Sequence, residues 1–232
     1  MQKAKGKYYQ ANTDDNWISN KDYPLWKVVR ASSAAPSYFD PEKITISRKK
    51  GLKVVDGVFV DGGVSPFNNP TLQAFMFATL RGFNVGWDTG SDQLLVVSVG
   101  TGRGDASQEP TWITAKGAVQ SLLSLMNDAG ELVEIMAQWL STGHTHRVID
   151  QEIGALDMDF VGGDPKFTYS RFNLSLEPKR IDALKSGVSR NTVESLIEMD
   201  EPKNMALLRE LADLDAMGVV QDKHFPVAFN LK

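Results

Sequence analysis

The sequence predicts an α/β fold, a mostly parallel sheet flanked by helices, and three observations carry that expectation. Leu94 to Val99 is an unbroken apolar run of strand length, as a strand covered by helices on both faces requires. Helical periodicity lies on either side of it, through Leu72, Phe75, Met76, Thr79 and Leu80 before and through Val119, Leu122, Leu123 and Met126 after. Strand, helix and strand in succession then favour a parallel sheet.

Residues 1–20 are polar, rich in Lys, Asn, Asp and Tyr, and without periodicity, as expected of a surface segment or of a chain entered partway through a domain. Leu25, Val28, Val29 and Ser32 recur at helical spacing between Pro24, suited to a first helical turn, and Pro36, which forces an end. A short helix is expected there. Val54, Val55, Val58, Phe59 and Val60 surround an Asp56-Gly57 turn signal, which predicts a β-hairpin or two short strands ending at Asp61. Asn68-Asn69-Pro70 sets a capping amide before a proline and opens the next helix, which Gly82 would end.

Beyond Pro110 a helical pattern runs to about Leu140, interrupted at Asp128-Ala129-Gly130. Two consecutive helices and one bent helix fit it equally. Phe167 to Leu176 alternates weakly as a strand, and Asn191 to Met199 and Pro202 to Met217 are periodic as helices. No repeat, low-complexity tract or linker divides the chain, so 1–232 is expected to be a single partial domain. Within it lie a polar segment at 1–20, the most informative stretch at 21–105 and a helical and mixed part at 106–232.

A chain of 232 residues with 42% hydrophobic content can bury a substantial core. Cysteine is absent, which excludes disulfides, thiolate metal sites and cysteine nucleophiles and fits a reducing, cytoplasmic location. The net charge is -4 with dispersed cations, which excludes the electrostatics of a nucleic-acid binder. Arg48-Lys49-Lys50 before Gly51 is a solvated turn. No apolar run reaches the roughly 18 to 20 residues of a membrane span, and the N-terminus lacks a secretory signal's apolar core.

The stretch most suggestive of chemistry is Val60-Asp61-Gly62-Gly63-Val64. A carboxylate at the end of an apolar strand, followed by two residues without side chains, allows another backbone or a ligand to approach closely. Taken alone it is equally a turn, and Asp56 before Gly57 is a turn former. Gly100-Thr101-Gly102-Arg103-Gly104 invites a phosphate-loop reading, but its spacing fits neither nucleotide motif, and Asp105 and Glu109 would repel an anion. Arg103-Gly104-Asp105 is a chance tripeptide. His144 and His146 lack further ligands to complete a metal site and are expected at the surface. Trp112, Trp139 and the Leu and Met residues between them are core positions in one reading and an acyl-chain or membrane contact in the other.

As an ordered set, three segments resemble the patatin-like phospholipase family. Pro24-Leu25-Trp26-Lys27-Val28-Val29-Arg30-Ala31-Ser32-Ser33-Ala34-Ala35-Pro36 is similar to the family's helix upstream of its aspartate. Asp61-Gly62-Gly63 with Asn68-Asn69-Pro70 is similar to the aspartate motif, and Leu95-Val96-Val97-Ser98-Val99-Gly100-Thr101-Gly102 to the next strand and loop. The resemblance implies hydrolysis of lipid acyl esters through a Ser-Asp dyad, with Asp61 as general base, Gly62 and Gly63 shaping its turn, and Asn69 capping the following helix. It implies no metal or organic cofactor.

The sequence departs from the family where the chemistry begins. It contains no Gly-x-Ser-x-Gly elbow and no Gly-rich oxyanion loop, and Ser32, Ser33, Ser65 and Ser98 stand in no such motif. The expectation is therefore the C-terminal part of the family's domain, incomplete at its N-terminal side, and inactive alone because the groups that dominate acyl transfer are missing. Exposed sheet edges would then favour self-association or pairing with the missing N-terminal part, with peripheral membrane contact through lipid. The alternative is a non-catalytic, patatin-derived interaction or regulatory module, and a nucleotide-binding α/β protein is a third reading.

Overall fold

The computed structural model describes residues 18, 20–36, 38–47, 54–104, 114–198 and 201–230, with 20 and 114–123 described by backbone alone. The chain divides into two compact units, residues 1–87 with 111–133 and residues 88–110 with 134–232.

The first unit opens with helix α1, Leu25–Ser32, with Pro24 as its N-cap. Proline suits that place because its fixed φ precedes the helix without wasting an N–H. Strands β1, Glu42–Ser47, and β2, Val55–Phe59, pair antiparallel with an irregularity between Thr45 and Ser47. The Asp56-Gly57 turn expected from sequence is not a turn. Both residues lie inside β2, where Asp56 opposes Thr45 and accepts its hydroxyl hydrogen bond at 2.8 Å. Gly57 is fixed by packing, because a Cβ there would stand 2.7 Å from the Phe59 ring. Helix α2, Thr71–Thr79, ends with Leu80 in an extended conformation. The stop is not Gly82, which sits in a following 3-10 turn closed by left-handed Asn84 at φ 61.

The second unit holds the parallel sheet that the sequence predicts, in the order β3, Leu95–Val99, then β5, Phe167–Phe172, then β4, Ser141–Thr142. The fold is α/β, with helices beside this sheet. Its centre differs from expectation. The apolar run β3 is an edge strand with Val97 and Val99 exposed, whereas β5 is buried from Phe167 to Ser170. The weaker alternation of β5 reflects hydroxyls that are buried but satisfied. Thr168 donates to the Ser91 carbonyl at 2.6 Å and Ser170 to that of His224 at 2.8 Å. Helix α3, Thr114–Leu140, is continuous through Asp128-Ala129-Gly130.

Helices α4, Pro178–Leu184, α5, Arg190–Ser195, and α6, Met205–Val219, build the hydrophobic core of this unit with the segment that follows β5. Leu174, Leu176, Ile181, Val193, Leu196 and Leu211 are its buried members, with Ile181 and Leu211 fully enclosed. Removing buried methyl groups leaves a cavity as well as lost transfer energy. Ile181→Ala or Leu211→Ala is therefore expected to destabilise the protein by about 2–5 kcal/mol, measured by urea unfolding.

Candidate functional site

Asp61 follows β2 by two residues, and its backbone N–H donates to the Ala34 carbonyl at 3.0 Å, tying the turn to the chain just beyond α1. Its own Oδ1 accepts from the Gly63 N–H at 2.7 Å and caps a short turn over Gly62–Val64. The motif folds this way because the carboxylate finds a donor two residues on, where the chain carries no side chain. A Cβ at Gly63 would lie 3.1 Å from that same Oδ1 and 3.3 Å from the Met126 methyl, a tight fit that small shifts of those groups would have to relieve. Asp61 makes no ion pair, and its Oδ2 accepts no hydrogen bond, among the described residues.

Downstream, Ser65 donates to the Gly62 carbonyl at 2.6 Å and accepts from the Phe67 N–H at 3.2 Å. This serine braces the turn. Asn69 is buried, and its Oδ1 accepts from the Thr71 N–H at 3.3 Å and the Thr71 hydroxyl at 2.7 Å. Asn69 thus braces the first residue of α2 from the position before its N-cap, Pro70, which makes no side-chain cap bond. The Asn69 Nδ2 is buried without a hydrogen-bond partner among the described residues. Beside this segment lies a groove of about 670 Å³, lined by Val60 and Gly62 on either side of Asp61 and by Val28, Ala31, Ile44 and Phe59. Ile44 belongs to β1, a strand missing from the expected elements although Lys43-Ile44-Thr45-Ile46-Ser47 alternates plainly.

The other serines stand elsewhere in the local architecture. Ser33 donates to the Val29 carbonyl at the end of α1, and Ser98 accepts from the Arg171 guanidinium within the second unit. Ser32 lines the groove, at the last residue of α1 and outside any elbow.

In the second unit, Ser141, His146 and Asp157 meet in a sequence of contacts that superficially suits nucleophilic catalysis. The Ser141 Oγ is 3.2 Å from the His146 Nε2, and the His146 Nδ1 is 3.4 Å from the Asp157 Oδ1. Ser141 is fully buried, however, and its hydroxyl donates to the Ala137 carbonyl at 2.6 Å. No substrate carbonyl reaches it. His146 is thus a structural residue with a side chain only 1% exposed, not the surface histidine expected from sequence; His144 is exposed. Burial lowers the His146 pKa from 6.5, against the opposing pull of Asp157.

The glycines after β3 are explained by packing. A Cβ on Gly100 would collide with the Asn173 Oδ1, and one on Gly104 would fall 2.6 Å from the Ile197 Cγ2. Gly102 has φ +109, and its N–H donates to the Asn173 Oδ1 at 3.0 Å. Asp105, Glu109 and Trp112 lie outside the described residues. Among the described residues no helix is long and apolar enough to cross a membrane.

Residues 3–75 match the model of the Patatin-like phospholipase family, a span containing α1, the Asp61 turn and the start of α2. Over that stretch the chain is similar to the family. A segment of 90 residues is 37% identical to the "Probable inactive patatin-like protein 9" of Arabidopsis thaliana, covering 38% of this chain and 22% of that protein. The chain thus spans about a fifth of that relative's length. No solved structure matches.

In the turn before α2, Asn69→Ala removes both bonds to Thr71 and is expected to cost about 1–2 kcal/mol, read as a lowered urea midpoint. The depressed His146 pKa means the unfolded chain takes up the proton first on acidification. The stability present above about pH 6.5 is therefore lost as pH falls from there through the folded-state pKa. Urea unfolding between about pH 7.5 and 5.5 should show this decline, and His146→Gln should lessen it, leaving the part due to His224, whose pKa burial also lowers.

Proposed function

We propose that the chain supplies the aspartate of a Ser-Asp dyad in a lipid acyl hydrolase-type domain, and that it does not hydrolyse esters by itself. The observation that carries this reading is the posture of Asp61. One carboxylate oxygen is held by the Gly63 N–H and the other has no partner among the described residues. A general base needs that arrangement, fixed in direction yet with an oxygen open to receive a proton from a hydroxyl. The apolar groove beside Val60 and Gly62 is suited to an acyl chain. The substrate class is a lipid or acyl ester, and the chemistry calls on no cofactor.

The nucleophile would come from a segment bearing the Gly-x-Ser-x-Gly elbow, which these 232 residues do not contain. Pairing with such a segment has physical support. Asn69 Nδ2 is buried without a partner among the described residues, and the first unit exposes Leu25, Trp26, Val58 and Phe67. Exposed apolar side chains and a buried donor without a partner are features that a neighbouring segment can cover.

The second reading, a non-catalytic interaction or regulatory module, is favoured by a separate observation: the matched Arabidopsis thaliana protein is itself termed probably inactive. Mixing the purified chain with a polypeptide carrying a family elbow segment distinguishes the two. Hydrolysis of a phospholipid substrate should be absent for the chain alone and restored on mixing, and Asp61→Ala should reduce the restored rate by about 100- to 10,000-fold. Association without hydrolysis favours the module, and restored hydrolysis indifferent to Asp61→Ala overturns its role as base.

A further inference from the structure

We propose that the second unit carries an anion pocket for a phosphate group, built at the carboxyl end of β5 around Arg171 and Lys223. The pocket has a volume of about 550 Å³ and collects residues from the end of β5, from α4 and α6, and from the segments that follow β4, β5 and α6. In parallel sheets the space beyond the carboxyl ends of the strands is where ligands are held, because the loops there are free of the ladder.

The charge balance of the lining points to a dianion. Four permanent cations line the pocket, Arg147, Arg171, Arg180 and Lys223, against one carboxylate, Asp215. Asp215 is engaged by Arg180 through both Nε and Nη2, and Arg147 is paired at 3.1 Å with Glu134. Arg171 and Lys223 have no carboxylate partner among the described residues, and Asp222 beside Lys223 forms no ion pair with it. Two uncompensated positive charges match a phosphate dianion, whereas a carboxylate would leave one of them unanswered.

The polar groups around those charges are oriented as donors. Arg171 spends Nη1 on a neutral acceptor, the Ser98 hydroxyl at 2.7 Å, while its Nε is buried without a partner among the described residues. The buried His224 accepts from the Gln221 N–H through Nδ1 at 3.1 Å, so the neutral ring carries its proton on Nε2. Burial, then Lys223 and His144, lower its pKa and keep the ring in that neutral, donating form. Asn173 accepts from Gly102 through Oδ1, which leaves its Nδ2 as a further donor. Side chains make this site, and the glycine loop after β3 does not cradle it. The volume exceeds that of a bare phosphate and accommodates the organic part of a phosphate monoester.

The test uses the full chain, titrated with inorganic phosphate and with glycerol 3-phosphate by calorimetry, and then with vesicles of phosphatidylcholine with or without phosphatidic acid. Saturable phosphate binding is expected, weakened at least about ten-fold by Lys223→Gln and by Arg171→Gln, while Arg190→Gln on the exposed α5 surface leaves it unchanged. Arg171 also ties β5 to β3, so thermal unfolding accompanies each variant, and Lys223→Gln, at an exposed position, decides the matter should Arg171→Gln unfold. Saturation with no preference between the vesicles supports a soluble phosphate ligand. Phosphatidic acid-dependent vesicle binding that phosphate competes away and Lys223→Gln abolishes supports a lipid headgroup. Absence of saturable phosphate binding, or a folded Lys223→Gln that binds as the parent does, overturns the proposal.

Discussion

The hydrogen bond from the Gly63 N–H to the Asp61 carboxylate is the constraint on which the candidate site depends. It sets the direction of the side chain, closes the Gly62–Val64 turn, and leaves little room for a Cβ at position 63. A charge-assisted bond to backbone is stronger than a neutral one and resists reorientation. The turn is held from behind as well, since the Asp61 N–H is bound to Ala34, and it leads through Ser65 to the buried Asn69 that opens α2. Backbone geometry thereby presents one carboxylate oxygen and holds the other.

The second unit solves a different problem with similar means. Its central strand β5 is flanked by backbone ladders, so the polar residues on it must find partners within a dry interior. Thr168 and Ser170 do so by bonding to carbonyls far away in sequence, and Arg171 by reaching Ser98 on β3. These contacts lock register as well as satisfying polar groups, because a slip by one residue would turn each hydroxyl to the opposite face.

Local signals were legible in the sequence and pairings were not. Helix α1 between its prolines, the Asp61 turn, α2 after Asn69-Pro70 and strand β3 could all be read from short-range spacing. Asp56-Gly57 misled because a turn dipeptide becomes strand when β1 offers a partner and Thr45 bonds the carboxylate. The centre of the sheet misled for the related reason that hydrophobicity marks burial only when hydroxyls lack distant partners, and β5 has them. His146 and Arg171 carry no local signature, since their surroundings come from residues brought together by the fold.

The first unit's sheet consists of two strands, with Val55 and Val58 exposed along β2, whereas the second has three strands and an enclosed aliphatic core. A lone hairpin is marginal in water, and cooperative opening follows local burial. The two-stranded pairing of the first unit draws support from helix α1, which packs on β1, whereas β5 is supported by a strand on either side. The chemistry proposed for this chain thus resides in the unit whose sheet has two strands, where a docking segment could add backbone pairing.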